Sequence, residues 1–211
     1  MKSFLRRLRQ AGPPQSASPE SAFFTTTLAA HGYLDLHTPP VPWEARAIEV
    51  GATRLPQRDA GPQLAKLWER DRYLGQLESA SLRQLGEYFY FASVAAQRDV
   101  IRQDENGSFM AVVLSGQIAV ERQQPWGERM RLAQTRPGDI LGEMSLLDGG
   151  PRFSSCTTLT DCEIGVLSAE ALDDMMTRNA ALAAKLMALL ARKLSFRLRA
   201  ISVRLGEEQH T

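Results

Sequence analysis

Glu143 and Arg152 are the two residues of this chain whose types and spacing most clearly imply chemistry. They lie in Pro-Gly-Asp-Ile-Leu-Gly-Glu-Met-Ser-Leu-Leu-Asp-Gly-Gly-Pro-Arg-Phe-Ser-Ser-Cys-Thr-Thr, residues 137–158. Gly138 leads into a short apolar strand that ends at Gly142, and Glu143 opens one helical turn, Met144-Ser145-Leu146-Leu147. A tight Asp148-Gly149-Gly150-Pro151 turn follows, and Arg152 starts a Ser/Thr-rich strand. Unpaired backbone amides at the start of a helical turn favour an anion. An arginine fork returning to the same place can grip a phosphate through two bonds. An ionised glutamate only accepts, so it suits a sugar hydroxyl and repels a phosphate. One acid for a ribose and one base for a phosphate describe a nucleotide.

Gly142-Glu143-Met144-Ser145-Leu146 and Pro151-Arg152 also match a known pattern, Gly-Glu-apolar-(Ser/Ala)-Leu, a short turn, then Arg-(Ser/Ala)-Ala. The stretch resembles the phosphate-binding cassette of the cyclic nucleotide-binding domain family, of the catabolite activator and cAMP-dependent kinase regulatory subunit kind. The resemblance implies a jelly-roll β-barrel, mainly β with flanking helices; separately, with no Ser/His/Asp grouping in motif context, no metal cluster and no paired catalytic carboxylates, no catalytic or metal residues are expected. It implies a cyclic nucleotide as regulatory ligand, cAMP ahead of cGMP, and no cofactor. It places the ligand against Gly142, Glu143, Met144, Ser145, Arg152, Phe153 and Ser154. The cyclic phosphate would go to Arg152 and the amides near Ser145, and the ribose hydroxyl to Glu143. Phe153 departs from the pattern, standing where the family has Ser or Ala. Its ring is expected either to crowd the pocket or to lie against the ligand, with Ser154 replacing a lost hydroxyl contact.

The elements needed to hold this cassette are legible on either side of it. Residues 91–167 alternate in the strand manner. Residues 109–122 read as a hairpin-like pair broken at Ser115-Gly116, 123–127 as a turn, and 130–134 as a return strand. Thr157–Leu159 and Glu163–Leu167 close the set, and many short strands at close spacing argue for a sandwich or barrel. Upstream, Leu64, Leu67 and Trp68 have helical spacing, and Ser79 or Ser81 can cap a helix carrying Leu82, Leu85 and Phe89. Downstream, Ser168 caps one helix and Asn179 a longer one reaching about Leu205. Leu182, Leu186, Leu189, Leu190, Leu194, Leu198, Ile201 and Leu205 give the longer helix a stripe broad enough to pack on the barrel and meet a partner helix. Its bases between 192 and 204 read most simply as a solvated face, with a nucleic-acid patch as the sharper alternative.

The expected organisation is a basic tail and linker (1–20), a Pro-rich extension (21–69), the barrel domain (70–178), and a lid or dimerisation helix (179–211). Residues 2–9 suit a short basic amphipathic helix, 11–20 a flexible linker, and a small helix follows Pro19. His31 and His37 stand without a ligand cluster and read as surface or capping residues. Five prolines between 38 and 62 suggest an irregular arm laid over the main domain. The loop 104–108 looks about one residue shorter than in the family.

The 211 residues carry a net charge of +1, so no global field draws the chain to nucleic acid or membrane. Two cysteines, Cys156 and Cys162, are too few for a zinc site and read as buried thiols of a reducing compartment. No apolar run approaches spanning length, no secretory signal is evident, and a cytoplasmic location is expected. A helix-turn-helix DNA-binding segment is not expected after the last helix.

Two functions remain open at this point. One is a cyclic nucleotide sensor signalling through its C-terminal helix to a protein partner, with a homodimer through that helix also open. The other is a non-binding scaffold for protein interaction or dimerisation, with Phe153 filling the pocket. A cyclic di-GMP binder is a variant of the first and needs more basic or aromatic surface than the sequence locates.

Overall fold

In a computed structural model, residues 39–72 and 74–208 are described. The tail, the linker, the helix after Pro19 and both His31 and His37 lie outside the described residues. Chain order is α1 (Trp43–Val50), β1 (Thr53–Arg54), α2 (Gln57–Glu69), a 3-10 turn (Leu74–Gln76), α3 (Ser79–Gly86), β2 (Tyr90–Val94), β3 (Asp99–Ile101), β4 (Phe109–Ser115), β5 (Ile118–Gln123), β6 (Arg129–Gln134), β7 (Ile140–Leu141), α4 (Glu143–Asp148), β8 (Ser155–Thr158), β9 (Cys162–Ser168), α5 (Ala169–Arg178) and α6 (Ala180–Glu208).

The strands make two antiparallel sheets, ordered β1-β2-β9-β4-β7 and β3-β8-β5-β6. This is the expected jelly-roll arrangement with flanking helices. β4 is buried on both faces, which explains its unbroken apolar run. Met110, Val112 and Leu114 face the helical layer, with Leu64, Trp68, Leu82, Leu186 and Leu190. Phe109, Ala111 and Val113 face the sandwich interior, with Ile101, Ile118, Cys156 and Ile164. Truncating a fully buried leucine such as Leu186 or Leu190 to Ala would cost about 2–5 kcal/mol.

Three local expectations are corrected. Residues 109–122 do not form a hairpin: β9 and β7 occupy both edges of β4, so β5 has no edge to join and pairs with β6 and β8 in the other sheet. The Pro-rich arm is not irregular. Pro42 and Pro56 occupy the N-cap positions of α1 and α2 in extended conformation, where a fixed φ and a missing N–H cost nothing. Pro62 lies inside α2, and burial of Ala60, Leu64, Ala65 and Trp68 in the core holds that helix together despite one missing donor. Finally, α3 is capped at Glu78 rather than by a serine, and Phe89 lies beyond it, with its ring 5.4 Å edge-on from Trp68.

The caps downstream are as expected. Ser168 Oγ accepts from the Ala171 amide at 3.2 Å, and Asn179 Oδ1 from the Leu182 amide at 3.2 Å. In α6, Leu182, Ala183, Leu186, Leu189 and Leu190 are buried, whereas Phe196, Leu198 and Val203 are exposed. None of the described helices is long and apolar enough to cross a membrane.

Candidate functional site

The site lies where β7 turns into α4. Gly142 takes φ 71°, the left-handed region that favours glycine, and serves as N-cap of the single turn that Glu143 begins. A side chain at Gly142 is excluded a second time, since its Cβ would come within 2.5 Å of Arg152 Nη1. The glycine thus lets two functional groups share one corner of the sandwich. Arg152 Nη1 donates to the Gly142 carbonyl at 2.8 Å, and its guanidinium carbon stands 4.4 Å from the Phe109 ring centroid.

Arg152 is 3% exposed, and among the described residues its Nη2 has no hydrogen-bond partner. It also has no carboxylate within ion-pair distance among them. Burial pushes its pKa down to about 10, assisted by Arg46, while Cys156, Glu105 and Glu143 pull the other way. A buried cation with a spare donor is costly by itself and is resolved by an anion. The Cys156 thiol, buried in the same interior, is pushed up to about 12 by desolvation and stays protonated.

Glu143 is 3% exposed and does not pair with Arg152. Its partner is Arg197 of α6, whose Nη1 donates to Glu143 Oε1 and whose Nη2 donates to the Ile140 carbonyl at 2.9 Å. The expectation that the bases of α6 form only a solvated face is corrected at this residue. The side chain stays half exposed, but its guanidinium reaches the β7–α4 corner, where an acid and a carbonyl accept from it.

Of the other expected site residues, Ser145 is buried in the first turn of α4 and Ser154 is half-buried beside Arg152. Met144 is 46% exposed and faces away. Phe153 is 53% exposed, so its ring does not fill the sandwich. It lies under Arg122, whose guanidinium carbon is 4.2 Å from the ring centroid and whose Nη1 donates to the Phe153 carbonyl. The reading in which Phe153 fills the pocket is therefore corrected. Strand alternation is interrupted by a bend at 153–154, which turns the ring outward.

The loop over Arg152 belongs to the site although no motif marked it. The Arg152 amide donates to the Glu105 carbonyl at 2.8 Å, and the Asp104 amide to the Arg152 carbonyl at 2.9 Å. A Cβ on Gly107 would fall 2.1 Å from Arg152 Nε, so the loop can close down only on glycine. Both residues were visible in the sequence; that Gly107 lies over Arg152 was not.

The corner of the two-sheet sandwich thus brings a buried arginine and a buried glutamate together. Residues 91–179 match the family model described as the cyclic nucleotide-binding domain. The chain is 32% identical over 95 residues to a CRP-like cAMP-activated global transcriptional regulator of Mycobacterium tuberculosis, covering 45% of this chain and 42% of that protein. It is 34% identical over 107 residues to the cyclic AMP receptor protein of Thermus thermophilus, covering 51% and 50%. The chain thus spans about half the length of the curated relatives it matches. A cyclic nucleotide-binding domain from Methylobacillus flagellatus superposes with a TM-score of 0.67 at 23% identity, over 72% of this chain and 86% of that one, which shows the shared fold.

Proposed function

We propose that the domain is a cyclic nucleotide sensor, with cAMP preferred over cGMP, that signals through α6 to a protein partner. The observation that carries the reading is Arg152, buried to 3% exposure with Nη2 unpartnered among the described residues. A cyclic phosphate supplies the charge and acceptor oxygens that this donor lacks. Glu143 takes a ribose hydroxyl, and Gly142 lets the backbone approach. The two bacterial relatives whose names include cAMP support the choice of nucleotide. The domain binds and signals without catalysis, and its compartment is cytoplasmic.

The route of the signal follows from Arg197. A ribose hydroxyl on Glu143 competes with a guanidinium that belongs to α6, so ligand and helix are linked through one carboxylate. The exposed apolar side chains Phe196, Leu198 and Val203 of α6 are where a partner, or a second copy, reads the change. Titration calorimetry against cAMP, cGMP and cyclic di-GMP tests the reading. Micromolar or tighter binding of cAMP that vanishes in Arg152→Ala supports it; no heat from folded protein with any of the three overturns it.

A further inference from the structure

The rim loop contains an acid that ought to neutralise Arg152 and does not. Glu105 is tied to Arg152 through the backbone, its carbonyl accepting the Arg152 amide at 2.8 Å, and its carboxylate is close enough to act electrostatically on the guanidinium. A carboxylate beside a buried arginine with a spare donor ordinarily closes a two-bond pair. Instead the Glu105 carboxylate is taken by Arg46 Nη2, with Arg102 Nη1 at 3.9 Å. Arg46 is 1% exposed and comes from α1, the proline-started helix within the segment expected to be an irregular arm.

The placement of Arg46 is built in. Trp43 and Val50 of α1 are buried in the sandwich interior, Trp43 with its ring 5.6 Å edge-on from Phe109. The Val41 amide donates to the Asn106 carbonyl at 2.8 Å, tying the start of the arm to the rim loop. The other end of the Arg46 fork is held by Glu49 one turn along, so the guanidinium is fixed between two acids. Such a costly arrangement calls for an explanation, because a buried arginine stabilises a fold weakly compared with an apolar side chain.

We propose that Arg46 is a positioning residue for the anion site: by holding the Glu105 carboxylate it keeps that acid off Arg152 and leaves the Arg152 fork open to a phosphate. The proposal rests on the nucleotide reading of Arg152 and adds the N-terminal arm to the site. Arg46 and Arg152 divide the work: one takes the acid already in the protein, the other the anion of the ligand.

The test uses the full chain with Arg46→Gln, Glu105→Gln and the double variant, and cAMP as the calorimetric probe. Arg46→Gln releases Glu105 onto Arg152 and weakens cAMP binding by about tenfold or more, the scale on which one opposite charge a few ångströms away shifts an ionic equilibrium. Adding Glu105→Gln removes the competing acid and returns affinity to within about threefold of wild type. Arg46→Lys, which keeps the charge if the glutamine variant does not fold, stays within the same margin, and Glu105→Gln alone binds no more weakly than wild type. Equal weakness of Arg46→Gln and the double variant would mean that Arg46 only packs, and unchanged affinity in folded Arg46→Gln would equally overturn the proposal.

A second readout needs no nucleotide. The Nε–Hε NMR resonance of Arg152, assigned by its loss in Arg152→Lys, moves in Arg46→Gln and returns in the double variant. If it behaves so while wild type takes up no cyclic nucleotide, the nucleotide reading fails and the positioning role stands. If it does not move in Arg46→Gln, the positioning role fails, whatever the ligand.

Discussion

Arg197 and Glu143, 54 residues apart in sequence, join the last described helix to the corner of the sandwich where the candidate ligand site begins. The carboxylate is 3% exposed and the arginine side chain 50%, so the pair joins a buried acid to a cation at the surface. Replacing Arg197 with Ala leaves the acid buried without its cation, and stability should fall by roughly 1–3 kcal/mol. It also removes the competitor for Glu143. Cyclic nucleotide affinity should therefore rise severalfold, while hydrogen exchange across residues 191–203 no longer responds to ligand. Weaker binding in this variant would show that Arg197 grips the ligand rather than competing with it.

Arg152 has the opposite balance of stability and function. In the ligand-free protein it is a desolvated cation with one hydrogen bond to Gly142 and a ring face on Phe109. The apolar, similarly long methionine escapes the desolvation cost. Arg152→Met should abolish nucleotide binding yet leave the melting temperature of the ligand-free protein unchanged or a few degrees higher. A fall of many degrees would mean that the arginine serves the fold first.

Phe153 lies outside the sandwich under Arg122, not over Arg152. Phe153→Ser should then change nucleotide affinity by no more than about threefold and cost about 0.5–1 kcal/mol from the lost cation–π contact. Calorimetry and thermal melting on the same sample check both halves. A large gain in affinity would show that the ring enters the site when ligand arrives.

Gly107 offers a steric test of the rim loop. A methyl group there would stand 2.1 Å from Arg152 Nε, so Gly107→Ala must lift the loop or displace the arginine. The expected outcome is a loss of stability of about 1–3 kcal/mol together with loss of nucleotide binding. Retained binding at wild-type affinity would mean that the loop moves freely away from Arg152.

Much of this protein was legible along the chain, because the signals involved are local. Alternation predicted strands over 91–167, Ser168 and Asn179 announced the helices they cap, and Gly142-Glu143 with Arg152 marked the corner where two buried charges lie close in sequence. Each rests on spacing within a dozen residues, where strand and helix geometry alone fix which side chains share a face. Sheet membership was not local. β4 and β5 adjoin in sequence, yet β9 and β7 claim both edges of β4, and only hydrogen-bond saturation across the whole sheet decides that.

The partners of the buried charges were likewise decided in three dimensions. Chain order alone sets an acid at 143 and a base at 152, at the spacing expected of a nucleotide site. It did not determine that Arg197 would hold Glu143, that Arg46 would divert Glu105, or that Phe153 would turn outward. A charge that loses its water must find a partner wherever the fold brings one within reach. Here that reach spans 54 and 59 residues of chain, beyond what any local pattern encodes.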